Sequence, residues 1–210
     1  MSRISVHQEA KQVFLTKDFA EMADNSGAAL DPASGDIVIT YLNQVCRANT
    51  KAEVIPDNPD FRLTKNEVTC ILQYLAKAPG LPIRNKWISF LELPEGEHHF
   101  VPFQNEAMKP LANKFGSDLE GFAKIAESLD GKPIPMGDVA YSLQVLPKLP
   151  LAIALWEGDD EFPPKANVLF DGVAPSFLTT AALWVLGIEV AGRFIKEDRL
   201  GYLGTVTKQG

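Results

Sequence analysis

Four carboxylate side chains crowd into the five residues Glu157-Gly158-Asp159-Asp160-Glu161, directly after an apolar run that ends at Trp156. Like charges this close repel one another unless a cation or water screens them. Carboxylate oxygens are the ligands that Mg²⁺ and Ca²⁺ prefer. The segment, which we call the acidic loop, therefore predicts a divalent-cation site, or a general acid whose pKa its neighbours raise.

A solvated hairpin tip is the alternative interpretation of the acidic loop. Gly and Asp are turn formers, and Pro163-Pro164 closes the segment. The spacing of the carboxylates does not match an EF-hand loop, so the calcium signature is weak. Both interpretations stay open at this level.

The apolar runs around the acidic loop indicate how it is held. Three runs separated by short turns predict an antiparallel meander over residues 139–146, 151–156 and 166–170. A first turn near Lys148 sets Asp138 opposite the acidic loop. The predicted metal ligands are therefore Asp138, Glu157, Asp159, Asp160 and Glu161.

Aromatic residues predict a second kind of site. Trp87, Trp156 and Phe162 would bound an apolar pocket for a small molecule. Large aromatic side chains in a domain of this size are usually part of the core instead. A deep apolar pocket would favour a binding protein, whereas three carboxylates converging on one point would favour a metal-dependent enzyme.

Apolar periodicity assigns the remaining elements. The predicted helices cover residues 5–23, 64–78, 103–114, 117–130 and 176–186. The predicted strands outside the meander are a doubly buried strand over 36–42, a short strand near 53–55, and a hairpin that runs from 86–93 into a strand through Phe100. The pattern is typical of one α+β domain over residues 1–210, with a C-terminal antiparallel meander and flanking amphipathic helices.

Composition limits the partners. The net charge is −7, the pI is about 5.0 and the basic residues are scattered, so we expect no nucleic-acid binding. No apolar run reaches the roughly 18 residues that span a bilayer, and the N-terminus lacks an apolar signal region. We therefore expect a cytoplasmic protein that does not bind membranes, with a small molecule or another protein as its partner.

The two cysteines limit the cofactors. Cys46 and Cys70 lie far apart, and an iron–sulfur cluster needs several closely spaced thiolates. We expect that this chain alone binds no such cluster and that the two thiols stay unbridged in a reducing compartment. A divalent cation is the one cofactor that the acidic residues suggest.

The stretch from Cys70 to Val185 resembles an uncharacterised prokaryotic family, domain of unknown function 3786. The segments that carry the resemblance are Leu72-Gln73-Tyr74-Leu75, Trp87 to Pro94, Phe115-Gly116, Gly137-Asp138, Leu146-Pro147 with Pro150, Trp156 to Pro164, and Leu169-Phe170-Asp171. The run from Trp156 to Pro164 is the most specific of them.

The resemblance implies an accessory role. Members occur mainly in anaerobic bacteria and archaea, and some are fused to an iron–sulfur domain of the type linked with corrinoid methyl transfer. This chain lacks that cysteine-rich segment, and it has Ala181-Ala182 where relatives tend to have an acidic pair. The resemblance implies a non-catalytic ligand- or cofactor-binding protein in corrinoid or iron–sulfur metabolism. The alternatives are a metal-dependent enzyme that uses the acidic loop and a structural or interaction subunit.

Overall fold

The computed structural model describes residues 4–204, with side chains through residue 196, and it shows an α+β fold. The fold class is thus the predicted one. Along the chain the elements are α1 (Val6–Leu15), α2 (Phe19–Ser26), β1 (Ala29–Leu30), β2 (Ile37–Tyr41), β3 (Gln44–Ala48), β4 (Val54–Pro56), α3 (Lys65–Lys77), β5 (Trp87–Ile88), α4 (Phe100–Phe103), α5 (Lys109–Phe115), α6 (Leu119–Ser128), β6 (Lys132–Pro133), β7 (Val139–Leu146), β8 (Leu149–Trp156), β9 (Lys165–Asp171), α7 (Ala174–Phe177) and α8 (Thr180–Gly204). Short 3₁₀ turns cover Phe90–Glu92 and Gly96–His99, and a π-helical turn covers Gln104–Met108.

The chain divides into two compact units whose segments alternate along the sequence. The first unit comprises Met1–Lys86, Gln144–Pro150 and Asp171–Leu186. It contains a four-stranded antiparallel sheet in the order β1-β2-β3-β4, together with α1, α2 and α3. Neither unit is one continuous stretch of chain, so the assignment of residues 1–210 to one domain stays a prediction.

The second unit comprises Trp87–Leu143, Leu151–Phe170 and Gly187–Gly210. It holds most of a five-stranded sheet in the order β5-β9-β8-β7-β6, with α4, α5 and α6. Strands β7, β8 and β9 are the predicted meander, and β8 pairs antiparallel with β9 from Leu151–Phe170 to Trp156–Lys165. The meander prediction is confirmed.

The first predicted helix is two helices. Asp18 begins α2 by accepting a hydrogen bond from the Glu21 N–H at 2.9 Å, and the chain turns between Leu15 and Asp18. Apolar residues continue at helical spacing across this break, so the sequence pattern alone does not reveal it. The predicted start of α3 near residue 64 is confirmed, since Thr64 and Glu67 form a capping box and exchange both hydrogen bonds.

Strand β2 is buried on one face rather than two. Ile37, Ile39 and Tyr41 are buried, whereas Thr40 between them is exposed. The neighbouring strand β3, which the sequence prediction missed, pairs with β2 over its whole length. Its mixed composition, Gln44 to Ala48, gave little strand signal.

The predicted hairpin over residues 86–100 is wrong. Only Trp87–Ile88 is a strand, and 3₁₀ turns follow. The reason is a capping box that the sequence contains: Glu92 accepts hydrogen bonds from the Ser89 N–H at 2.7 Å and hydroxyl at 2.8 Å. His98 and His99 therefore lie on a 3₁₀ turn, not on a strand.

The last helix is longer than predicted. α8 continues to Gly204 because Gly187 does not interrupt it. A Cβ at Gly187 would lie 2.7 Å from the Phe103 ring, so the missing side chain lets the helix approach that ring closely. Among the described residues, no helix combines the length and apolarity needed to cross a membrane.

Candidate ligand-binding groove

The acidic loop is tied to the start of β7 through Asp138. The Asp138 N–H donates to the Leu155 carbonyl at 2.9 Å, and its carboxylate accepts from the Glu157 N–H at 2.8 Å. The register prediction therefore placed Asp138 correctly beside the loop. One of the two Asp138 carboxylate oxygens is thus used to accept a hydrogen bond from a backbone N–H of the loop.

Asp159 builds the tip of the loop. Its Oδ1 accepts the N–H groups of Phe162 at 2.7 Å and Glu161 at 2.9 Å, and its own N–H donates to the Phe162 carbonyl at 2.9 Å. These hydrogen bonds, the Phe162 one first, lower the pKa of Asp159 because they favour the charged carboxylate. The turn places Phe162 at a fixed position after the tip.

The acidic residues do not form a ligand set in this geometry. Within the described part of the chain, no group of three or more His, Cys, Asp or Glu side chains is placed to hold a metal ion. The structure brings Asp138 to the loop backbone, while Asp159 turns toward the loop's own N–H groups. The assignment of these five residues to a metal stays a prediction that no observed convergence of carboxylates supports.

The double proline fastens the acidic loop to the end of α5. Gly116 follows that helix, and its carbonyl accepts the Gly158 N–H at 3.3 Å. A Cβ added at Gly116 would overlap the Pro164 ring. The Phe115-Gly116 pair and the Trp156 to Pro164 run, two separate pieces of the sequence, thus meet in one tightly packed contact.

A groove of about 730 Å³ opens beside this contact, within the second unit. We call it the aromatic groove. Its apolar lining includes Leu91, Phe100, Met108, Trp156 and Phe162. Trp156 is 36% exposed and Phe162 is 61% exposed, so these rings are not core residues. The volume falls in the range of about 300–1,000 Å³ that is typical of small-molecule sites.

One wall of the aromatic groove is a face of the sheet. Trp156 pairs directly with Lys165 across β8 and β9, and Asn167 is two residues further along β9. Directly paired residues, and residues two apart on a strand, point to the same face. This register puts an indole, an ammonium and an amide side by side, and all three line the groove.

Another part of the lining comes from the π-helical turn Gln104–Met108. Gln104 and Met108 line the groove, as does Lys109, whose Nζ donates to the Asn105 side chain at 2.7 Å. Pro110 begins the next turn without an N–H, so a regular i to i−4 hydrogen bond cannot form there. A wider turn just before a proline is the expected result, and π turns are frequent at functional sites.

Two of the three predicted ligand-binding residues line the aromatic groove. Trp156 and Phe162 do, whereas Trp87 is half-buried in β5 and is absent from the described lining. The sequence prediction missed the helical wall. The signal that could have found it is Pro110 inside an otherwise helical pattern.

Comparison with known proteins gives one family. The family model described as domain of unknown function (DUF3786) matches residues 18–193. The chain belongs to this family. The match begins well before Cys70, where the resemblance was placed, and thus includes α2 and the four-stranded sheet. No curated protein and no solved structure shows a significant match to the chain.

In this DUF3786 member, one continuous run of sequence supplies a third of the described lining of the aromatic groove. The run from Trp156 to Pro164, the most specific piece of the family resemblance, supplies five of the groove's lining residues: Trp156, Glu157, Phe162, Pro163 and Pro164. This continuous segment therefore forms a large part of the lining of the aromatic groove.

Proposed function

We propose that this protein is a non-catalytic ligand-binding protein that holds a small molecule with a broad apolar face in the aromatic groove. The observation that carries the proposal is the exposure of Trp156 and Phe162 on the walls of a cavity of small-molecule size. Exposed aromatic rings on a concave surface gain apolar contact area when a ligand covers them.

The polar lining suggests how a ligand would be oriented. Lys109 and Lys165 bring positive charge, Glu157 brings negative charge, and Gln104 and Asn167 offer amide donors and acceptors. A few polar groups on an apolar wall are the usual means of fixing orientation in a binding site. The ligand we propose therefore has an apolar face and a polar edge.

The biological setting is a further part of the proposal. The family resemblance suggests a cofactor or ligand of anaerobic corrinoid or iron–sulfur metabolism, and a cytoplasmic location agrees with the acidic composition. The exclusion of nucleic acid stays a prediction that follows from the net charge of −7. Cys46 and Cys70 are both buried thiols, and together they are too few to hold a cluster.

The first prediction tests the aromatic groove directly. Protein purified anaerobically from its host should retain a non-covalent small molecule, which native mass spectrometry would detect. Trp156→Ala/Phe162→Ala should lower the affinity for that molecule by about tenfold or more, because each ring removed loses stacking worth about 0.5–1.5 kcal/mol.

Val101→Ala is the matched control for that experiment. Val101 is 62% exposed, like Phe162, but it is not part of the described lining of the groove. The variant should retain the molecule as the wild type does. A wild type that carries nothing from its host, or a double variant that carries the same mass at the same occupancy, would contradict the proposal.

A further inference from the structure

A second cavity lies within the first unit, between α1, α3 and the start of α8. Its volume is about 440 Å³, and we call it the histidine cavity. Val6, Ala182 and Val185 give it apolar walls, and His7, Lys65 and Thr179 are among its polar lining residues. His7 is not among the residues that the sequence analysis predicts for a site, so nothing before the structure pointed to this place.

The hydrogen bonds around Thr69 fix the proton on His7. The Thr69 hydroxyl has one proton, and it donates that proton to the Lys65 carbonyl at 2.7 Å. The same oxygen is 2.8 Å from His7 Nδ1, so Nδ1 must donate to it. In the neutral imidazole the lone pair is then on Nε2. Among the described residues, Nε2 has no hydrogen-bond partner within the protein.

The charge of the histidine cavity is positive. Lys65 lines it, and none of the described lining residues is Asp or Glu. This contrasts with the net charge of −7 for the whole chain. The Thr179 oxygen accepts the Ala182 N–H at 3.3 Å, which leaves its O–H proton to donate to a guest. An ammonium and a hydroxyl donor on an apolar wall suit a carboxylate with an apolar body.

His7 can add a positive charge to this set of groups by taking up a proton. Desolvation and the ammonium groups of Lys65 and Lys11 lower the pKa of His7, which favours the neutral ring in the absence of a ligand. A bound anion would offset the effect of the two lysine ammonium groups on the pKa of His7 and would therefore favour the imidazolium. The ligand enters as the carboxylate, Nε2 takes up its proton from the solvent, and no other bond forms or breaks.

We propose that the histidine cavity binds a small monocarboxylate with an apolar body, with protonated His7 Nε2 donating to the carboxylate and Lys65 facing its charge. This site is separate from the aromatic groove and does not depend on it. Other titratable groups around His7 are Lys11 on α1 and Lys65 and Cys70 on α3, while the described lining on α8 contains none.

The test uses benzoate as the probe and the histidine ring signals as the readout. The chain has three histidines, so NMR of ring nitrogens can resolve each one. We expect the empty protein to show His7 protonated at Nδ1. Benzoate should shift the His7 signals saturably and raise the pKa of His7, while His98 and His99 stay unchanged.

Variants separate binding from folding. His7→Gln should weaken benzoate binding at least about tenfold, equal to about 1.4 kcal/mol. Ala181→Trp should block the cavity from its exposed wall without touching the bond between His7 and Thr69. His98→Gln, outside the cavity, should bind as the wild type does. Thermal melts would establish that each variant is folded.

Two results would overturn the proposal. One is a His7 signal that does not respond to benzoate up to its solubility limit. The other is undiminished binding in folded Ala181→Trp. Loss of ligand from the aromatic groove in the Trp156/Phe162 double variant would leave the benzoate response unchanged, so the two sites fail independently.

Discussion

At the scale of single residues, one carboxylate inside the acidic loop and one beside it accept hydrogen bonds from backbone N–H groups. Asp138 and Asp159 both accept loop N–H groups, and the tight turn at Asp159 positions Phe162. Crowded negative charge is tolerated because hydrogen bonds from N–H groups stabilise the ionised form. The close spacing of carboxylates, which suggested a bound cation, thus has a structural explanation for Asp138 and Asp159.

The Asp159 turn makes a prediction about pH. Its pKa is depressed in the folded protein, so its contribution to the turn is present above the ordinary Asp value of about 3.9 and is lost as the pH falls through the lower, folded value. An NMR titration should show the amide signals of Phe162 and Glu161 moving with a midpoint below about 3.9.

Asp159→Asn is the control for the pH titration. It keeps one side-chain oxygen for the turn but removes the titrating group. The low-pH transition of the two amides should therefore disappear in this variant. A wild-type midpoint at or above the ordinary value would show that these hydrogen bonds do not form in solution.

At the scale of elements, the aromatic groove depends on how α5 meets the acidic loop. The helix ends at Phe115, and at the next residue, Gly116, the Pro164 ring occupies the space where a side chain would be. Gly116 has φ −67°, an ordinary helical value, so any residue could adopt its backbone conformation. The glycine is needed for close approach rather than for backbone freedom.

Gly116→Ala should therefore destabilise the protein by steric overlap. We expect a loss of about 1–3 kcal/mol in the free energy of unfolding, which is the usual cost of overpacking. Urea denaturation would measure it. The same variant should also change the binding of any groove ligand, because Pro164 lines the groove.

Gly192→Ala is the matched control, since a Cβ at Gly192 in α8 meets nothing within 4 Å. Alanine in a helix interior should stabilise the protein there by about 0.5–1 kcal/mol. If Gly116→Ala were as stable as the wild type, the contact with Pro164 would not be tight in solution.

At the scale of the molecule, buried side chains join segments that are far apart in sequence. Within the first unit, the Tyr74 hydroxyl donates to the Ser26 carbonyl at 2.7 Å and accepts the Lys148 N–H at 2.9 Å. Burial raises the pKa of Tyr74 far above its ordinary value, although the Lys148 hydrogen bond lowers it somewhat. This residue of α3 thereby connects the end of α2 to the turn between β7 and β8.

Tyr74→Phe should leave two buried backbone groups without their hydrogen-bond partner. The ring would still stack on Phe177, whose ring centroid is 5.2 Å away, so the destabilisation comes chiefly from the lost hydrogen bonds. We expect about 1–3 kcal/mol of destabilisation, measured by urea denaturation.

Tyr141→Phe offers a comparison for that variant. The Tyr141 hydroxyl donates to Glu127 at 2.9 Å, but Glu127 is exposed and can return to water. Loss of the Tyr141 hydroxyl should therefore lower the free energy of unfolding clearly less than loss of the Tyr74 hydroxyl. Equal costs at the two positions would show that the buried bridge in the first unit adds no stability of its own.

The sequence by itself determined the features that depend on local pattern. Alternating apolar runs and short turns predicted the meander, and its register placed Asp138 beside the acidic loop. The capping box at Thr64 predicted the start of α3. Such signals act over a few residues, so they can be recognised without knowing what packs against them.

Only the tertiary structure decided which residues form the two cavities. The aromatic groove needs a π turn before Pro110, a sheet face at Trp156 and Lys165, and the contact at Gly116. The histidine cavity needs Thr69 of α3 to meet His7 of α1, 62 residues away. These approaches depend on long-range packing, which sequence spacing does not encode, and for the same reason the spacing did not show that Trp87 lies outside the described lining of the aromatic groove.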